Sequence, residues 1–424
     1  MTWFPFCIAR SASSPPFRVA EASGFSSRYA TLNRTPVRYL MTTLLMRDVF
    51  LGIAAIPFIY YALTIFSSLR FFLATRAKTD RAGGFMPPVS NLKPVRGLDP
   101  EAYENFASFC RQDYPDYEIL FCINDTSDPA FPVLQRLVQD FPKCQIRIVI
   151  GSGRIATNDK VAKLARLVEE ASHEYLVISD SDVRVEPDYL RKVIAPLANP
   201  KTGAVTCFYV PIEESTWVQR LQDVGMISDF YPGILVAKQL DGVKFALGPT
   251  IATTRARLQA FGGYASIENR PADDLLVGRL IAEQGYEVEL LPYTISTVAD
   301  YQSLNELFHK RLRWITVMRH MRPWGHVGLI FTLGLPWALL AVALLPTPGI
   351  AVSYLGGYLI VRAVLTLLVG SWGLRQPGIW KKLAFIPLWD GLASLIWLTS
   401  FTRKTIRWRG RDYLMRDGNL VPPL

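Results

Sequence analysis

The chain has 424 residues, enough for one large domain or two. Half are hydrophobic and mean hydropathy is +0.18, with the apolar surplus at the two ends, so a membrane protein with a soluble middle is expected. A net charge of +10 suits a membrane surface or a nucleic acid, while five cysteines without a C-x-x-C pair and only four histidines argue against a disulfide framework, a zinc site or a His-rich metal site.

Residues 1–40 are rich in Ser, Pro and Arg with little periodicity and read as disordered. They are either a targeting segment or sequence ahead of a true start at Met41. An uncharged apolar run, 49–69, predicts a transmembrane helix over 45–72. Arg70, Arg76, Lys78 and Arg81 follow it, against Arg47 alone between Met41 and the run, which puts the next domain in the cytoplasm.

Residues 87–300 alternate short apolar runs with helical patterns. Strands are predicted at 117–123, 145–150, 174–179, 203–209 and 286–290, and helices at 101–112, 131–140, 160–171, 187–198, 215–228 and 273–284. Such alternation means an α/β domain with a mostly parallel sheet covered by helices.

Residues 301–324 are amphipathic and basic, with Lys310, Arg311, Arg313, Arg319 and Arg322 among Leu, Phe, Trp, Ile and Met. They predict an interfacial helix or a surface helix of the soluble domain. Three apolar runs fill 325–402, at 326–346, 350–370 and 383–401. Arg362 and Asp390 each lie fourteen residues from the turn near Gln376, so an antiparallel hairpin brings them to one depth. A membrane-buried charge needs a partner, so the two are expected to touch. The basic tail, 403–424, belongs on the cytoplasmic face, yet three full spans after a cytoplasmic domain end outside. One run is therefore re-entrant or interfacial, or the tail breaks the rule.

Four features carry chemistry. The run Tyr175-Leu176-Val177-Ile178 is strand-like and ends in Ser179-Asp180-Ser181-Asp182. Ligands bind beyond the carboxyl ends of strands in open α/β sheets, and two carboxylates one residue apart can hold a hard divalent cation. The run 119–123 ends in Asn124-Asp125, where an Asp can accept a hydrogen bond from a nucleobase or ribose. Asp273-Asp274 open a predicted helix; the dipole suits one as a cap and leaves the other free as a base. Lys310-Arg311-Leu312-Arg313-Trp314 sets cations beside an indole, suited to a diphosphate leaving group and a docked sugar or lipid.

In this order and spacing the set resembles the GT-A glycosyltransferases, and within them family 21, the ceramide glucosyltransferases and their bacterial hopanoid-pathway relatives. The resemblance rests on Lys93-Pro94-Val95-Arg96-Gly97-Leu98-Asp99-Pro100, on Asp113-Tyr114-Pro115-x-Tyr117-Glu118-Ile119-Leu120, on Asn158-x-Lys160 and on the acidic blocks, and covers about residues 45–420. It implies a GT-A, Rossmann-like domain with N- and C-terminal transmembrane helices. Asp125 would lie near the uracil of a UDP-sugar, Asp180 and Asp182 would bind Mg²⁺ or Mn²⁺ on the diphosphate, and Asp274 would be the general base. Arg313 and Trp314 would match the R-W of the family's Q/R-x-x-R-W motif, and Lys160 would approach the phosphates. Lys310 stands where the motif has Gln or Arg, keeping charge but not the planar donor. Tyr231-Pro232 replaces the His-Pro of animal members, which bears on the acceptor.

The reaction so implied is a single inverting transfer from a UDP-sugar, UDP-glucose first, to the hydroxyl of a membrane lipid such as ceramide. A transfer of N-acetylglucosamine from UDP-N-acetylglucosamine to bacteriohopanetetrol is the alternative, and a catalytically silent membrane scaffold is the alternative of another class. The expected partners are the bilayer and a lipid, not nucleic acid; nothing in the sequence specifies an oligomeric state. The expected location is a bacterial inner membrane, multi-pass, with the catalytic domain cytoplasmic.

Overall fold

The short apolar runs of the soluble middle pair side by side. The computed structural model describes residues 34–76, 84–298, 302–403, 405–408, 411–416 and 419–421. The chain divides into two units, Met1–Phe50 and Leu51–Leu424. A helix begins at Arg34, inside the stretch expected to be disordered; residues 1–33 lie outside the described residues, as do Lys78 and Arg81.

Eight strands form one sheet: β1 (Val89–Pro94), β2 (Tyr117–Ile123), β3 (Gln145–Ile150), β4 (Tyr175–Ile178), β5 (Val183–Arg184), β6 (Thr202–Pro211), β7 (Ile251–Thr254) and β8 (Glu287–Thr297), in the order β3-β2-β1-β4-β7-β6-β8-β5. The pairs β1–β2, β2–β3, β1–β4 and β6–β8 are parallel; β7 is antiparallel to both β4 and β6, and β5 to β8. Side chains alternate across β2. Leu120 and Cys122 enter one core with Leu164, Leu167 and Leu276, and Ile119, Phe121 and Ile123 enter the other with Phe106, Leu134 and Leu190. That period of two is why helices cover both faces.

The strands expected from apolar runs all form, but β1, β5 and β7 escaped the sequence reading and β8 runs past its expected end. β1 hides because Ser90, Asn91 and Lys93 are polar yet fully buried. The Ser90 hydroxyl donates to Glu118 (2.6 Å), a partner local pattern cannot reveal. The chain steps outward from β1 to β2 and β3, then returns to place β4 on the other side of β1. Such a reversal opens a crevice at the carboxyl ends of β1 and β4.

Among the described residues, three helices are long and apolar enough to cross a membrane: Met41–Arg76, Pro348–Gly373 and Ile379–Ser400. The first of the expected C-terminal runs is instead broken into Pro323–Phe331 and Gly334–Leu344, bent by 48°. Pro348–Gly373 follows the N-terminal helix closely. The Tyr354 hydroxyl donates to the Leu51 carbonyl (2.8 Å) near one end and the Arg76 guanidinium to the Trp372 carbonyl (2.6 Å) near the other. Arg362 and Asp390 do meet: Nε to Oδ2 is 2.9 Å and Nη2 to Oδ1 is 2.5 Å, both residues at most 4% exposed.

Ile379–Ser400 behaves differently. Near its start Lys382 bonds Asp223 of the soluble domain (2.7 Å) and also Glu214. Further along, Trp389 packs where Gly225 leaves room; a Cβ there would fall 2.3 Å from the indole. At its end Ser400 meets His326 (2.8 Å), and Arg319 donates to the Arg403 carbonyl (2.5 Å). It thus runs beside the basic helix Leu304–Met321, whose Leu307 and Arg311 contact the domain helix Trp217–Gly225 and the turn after it.

The segment read as a basic tail is folded. It forms a three-stranded antiparallel meander, β9 (Thr405–Trp408), β10 (Arg411–Arg416) and β11 (Asn419–Val421). Ile406 and Leu420 are buried against Val317 of the basic helix, with Ala272 and Met321 packed around them. Its many charges concealed the apolar positions Ile406 and Leu420 that it buries. Lys404, Arg409 and residues 422–424 lie outside the described residues.

Candidate active site

Three carboxylates gather round one ammonium at the crevice. Asp180 leaves the carboxyl end of β4; Lys160 lies in the first turn of helix Asp159–Glu170, capped by the Asn158 side chain; Asp273 and Asp274 open helix Asp273–Glu283. Lys160 Nζ stands 2.7 Å from Asp180 Oδ1 and 3.2 Å from Asp273 Oδ2. The other face of the cluster looks onto Gly248. A Cβ at that position would sit 3.1 Å from Asp274 Oδ2 and 3.5 Å from Asp180 Oδ2. Glycine therefore lets the backbone lie close to two acidic oxygens.

The electrostatics are lopsided. Burial raises the Asp274 carboxyl to about 6, with Asp273 adding to the rise and Lys160 opposing it. Burial pulls the Lys160 ammonium down, but Asp180, Asp273 and Asp274 more than offset it and hold the group charged. Three acids against one cation leave an acidic surplus at the crevice. A carboxyl tuned upward at a crevice is the pattern expected of a general base.

Beneath the rim lies Lys93, which the sequence reading quoted without a role. It is fully buried at the end of β1. Its ammonium donates to the Asp180 carbonyl (2.9 Å) and the Ser179 hydroxyl (3.2 Å), and rests 3.5 Å from the Phe109 ring centre. Burial lowers it to about 7, against the pull of Asp180, Asp182 and Asp99. Ser181 donates to Asp99 (2.5 Å). The K-P-x-x-G-x-D-P block thus underpins the Ser179–Asp182 turn. Only a fold that stacks β1 beside β4 could reveal this.

Of the residues expected to act, Lys160, Asp180 and Asp274 converge, joined by Asp273. Rather than capping, Asp273 pairs with Lys160, while Asp274 Oδ1 accepts the Leu275 amide (2.8 Å). Asp182 is half-buried two residues beyond Asp180, and its carbonyl accepts from the Val298 amide (3.0 Å). Asp125 sits at the end of β2, exposed, with Oδ1 accepting from the Ser127 amide (2.8 Å). That bond and the Ser127 hydroxyl hold its carboxyl below the usual range. Lys310, Arg313 and Trp314 are half-buried on the basic helix. Trp314 lies against Phe230 (5.8 Å between ring centres) and under the Arg311 guanidinium (4.7 Å). Arg311 itself is buried and clamps the helix between Trp314 and Trp389.

A mostly parallel sheet that reverses its strand order at β1 and β4, with helices on both faces, is the architecture of the GT-A glycosyltransferases. A mannosyltransferase from Pyrobaculum calidifontis, solved with GDP-Man and Mn²⁺, shares this fold: TM-score 0.51, 18% identity, over 80% of this chain and 99% of that one. Ceramide glucosyltransferase 3 of Caenorhabditis elegans is 22% identical over 80% of this chain and 75% of its own length, and ceramide glucosyltransferase 1 of the same organism is 23% identical over 79% and 73%. Residues 49–421 match glycosyl transferase family 21, and the chain belongs to that family. It is a membrane-bound enzyme.

Proposed function

We propose that the chain is an inverting hexosyltransferase that moves a sugar from a UDP-sugar, UDP-glucose first, to the hydroxyl of a membrane lipid of the ceramide type. The observation that carries the reading is the convergence of Asp180, Asp273 and Asp274 on Lys160 at the crevice, with Asp274 Oδ2 and Asp180 Oδ2 both beside Gly248. Asp274 accepts the proton of the acceptor hydroxyl. The oxygen then forms its bond to the anomeric carbon from the side opposite the leaving group, and the bond from that carbon to the β-phosphate oxygen breaks, leaving its electron pair on UDP. No second carboxylate is assigned as nucleophile, so a single displacement is expected.

The donor set fits a divalent cation. It offers hard carboxylate oxygens with net negative charge. Among the described residues no three His, Cys, Asp or Glu side chains cage a metal by themselves. Asp180 and Asp182 would hold Mg²⁺ or Mn²⁺ together with the diphosphate, which would neutralise the departing phosphate charge. Asp125 would serve the uracil, and Lys310, Arg313 and Trp314 the leaving group and acceptor.

Two observations favour a catalytic domain and C-terminal meander on one face, the cytoplasmic one. Ile379–Ser400 touches the soluble domain or its adjoining helix at both ends, and the Leu420 amide donates to the Asn269 carbonyl of the domain (2.8 Å). In this reading Ile379–Ser400 lies along the interface, while Gly334–Leu344 and Pro348–Gly373 leave the domain side and return to it. Such a path would leave the basic tail on the same face as the domain.

Membranes incubated with labelled UDP-glucose or UDP-N-acetylglucosamine plus ceramide or bacteriohopanetetrol test the function. Glucosylceramide is the expected product, and absence of any lipid-linked sugar in every combination overturns the proposal. The hopanoid product is the second reading. It is favoured by Tyr231, whose hydroxyl is spent on the Tyr209 carbonyl in the core where animal members have a histidine. For orientation, Arg416→Cys in sealed cells is expected to resist an impermeant thiol reagent, and labelling from outside would refute the shared face.

A further inference from the structure

We infer that the C-terminal meander is part of the catalytic apparatus, the Leu420 amide acting through Asn269 to hold the loop that sets Asp273 and Asp274. The inference rests on the reading of Asp274 as the base. The loop Glu268–Ala272 has no regular structure of its own and is gripped from two sides. On one side the turn that starts the Lys160 helix reaches over: the Asn158 amide donates to the Glu268 carbonyl (3.0 Å), Asn158 Nδ2 to the Arg270 carbonyl (3.0 Å), and the Thr157 amide to Asn269 Oδ1 (3.1 Å). On the other side β11 supplies the Leu420 amide to the Asn269 carbonyl (2.8 Å). Asn269 is therefore shared, its side chain serving the Lys160 helix and its backbone the C-terminus.

Three residues further on, Ala272 adopts φ 55°, ψ 58°, a left-handed conformation that is strained for a non-glycine residue. Such a backbone persists only when its surroundings over-determine it. The Leu420–Asn269 bond and the apolar cluster of Leu420, Ile406, Val317 and Met321 packed on Ala272 supply that constraint. Asp273 and Asp274 follow at once, so the meander fixes where the helix begins and how its two carboxylates meet Lys160 and Gly248. The donor-side residues Asp125 and Asp180 follow the carboxyl ends of β2 and β4 instead. The meander is thus a positioning element for the acceptor-activating half of the site.

The geometry offers a clean substitution. β11 is an edge strand, and the Leu420 amide bonds Asn269 rather than β10. Proline at an edge position with its amide facing outward spares the ladder. In the purified full-length enzyme, Leu420→Pro is expected to lower kcat about tenfold or more, with the donor KM within about twofold, since small misplacement of a reacting group is costly. Leu420→Ala, which keeps the amide, is expected to hold kcat nearer the wild type than Leu420→Pro does. Losses from Leu420→Pro and Asn158→Ala should fall short of multiplying, because both act on one loop. In the wild-type chain, amide exchange over 419–421 and 270–276 should slow together on saturation with UDP and Mn²⁺. Wild-type kcat in Leu420→Pro, fully multiplying losses, or exchange over 419–421 indifferent to nucleotide each overturn the inference. Asp274→Asn assayed alongside separates the two ideas: turnover surviving there removes the base, whereas wild-type kcat in Leu420→Pro with Asp274→Asn inactive removes the meander's role.

Discussion

Two groups of buried charge invite comparison. At the membrane helices, Arg362 and Asp390 pair one to one. The remaining valences are filled, with the Tyr358 hydroxyl donating to Asp390 (2.7 Å) and the Arg362 guanidinium also reaching the Ser228 carbonyl and hydroxyl. At the sheet rim, three carboxylates share one ammonium and two of them adjoin Gly248. The first is closed on itself in charge and in hydrogen bonds, as a structural ion pair must be when desolvated. The second is left unbalanced, as a cluster proposed to bind a cation and move a proton would be.

The widest gap should come from removing one acid on each side. Asp274→Asn is expected to cut transfer by about 10²–10⁴-fold while UDP-sugar binding survives, measured by turnover and by donor binding in the same preparation. Turnover close to normal would erase the contrast. Asp390→Asn or Arg362→Met is expected to act on folding instead, costing about 3–5 kcal/mol because a buried charge is left alone. Arg362→Met combined with Asp390→Leu should recover much of the loss. Thermal melting in detergent reads both, and an Arg362→Met protein as stable as the parent would show the pair to be idle.

A smaller effect is expected at Gly248. Gly248→Ala pushes a methyl to 3.1 Å from Asp274 Oδ2 and should lower kcat about tenfold, with little change in melting. Smaller still is the pH effect. A base must be ionised, so kcat should rise through pH about 6 as Asp274 loses its proton. The same raised value means that folding binds this proton more tightly than the unfolded chain does, so Asp274 costs stability as pH climbs from the ordinary carboxylate range toward 6. Removing the cation in Lys160→Met should move the kinetic limb to higher pH. A limb that stays put or moves down would show that Lys160 does not stabilise the base.

The acidic half of this candidate site was legible because Asp125 and Asp180 each follow a short apolar run and Asp273-Asp274 open a helical pattern. Lys93 and Gly248 were not legible: one acts through a neighbouring strand and the other through the absence of a side chain. The missed strands follow the same logic. Thr253 in β7 donates to the Gly203 carbonyl (2.7 Å), so a polar residue rides inside a core on a bond between distant segments. The meander was hidden behind its charges. Hydropathy found Ile379–Ser400 as an apolar segment, yet length and composition are identical for a helix that crosses and one that lies flat. The proposed interfacial placement rests on the contacts at its two ends.

That helix has a consequence for where the enzyme can work. A spanning helix must match the thickness of its bilayer, whereas one lying along the surface has no length to match. If Ile379–Ser400 rides in the headgroup layer, its exposed Leu388, Leu395, Leu398 and Phe401 form a keel beneath the basic helix. The depth of the reaction centre then follows the lipid surface itself, and thickening the acyl layer should leave the reach to the acceptor unchanged.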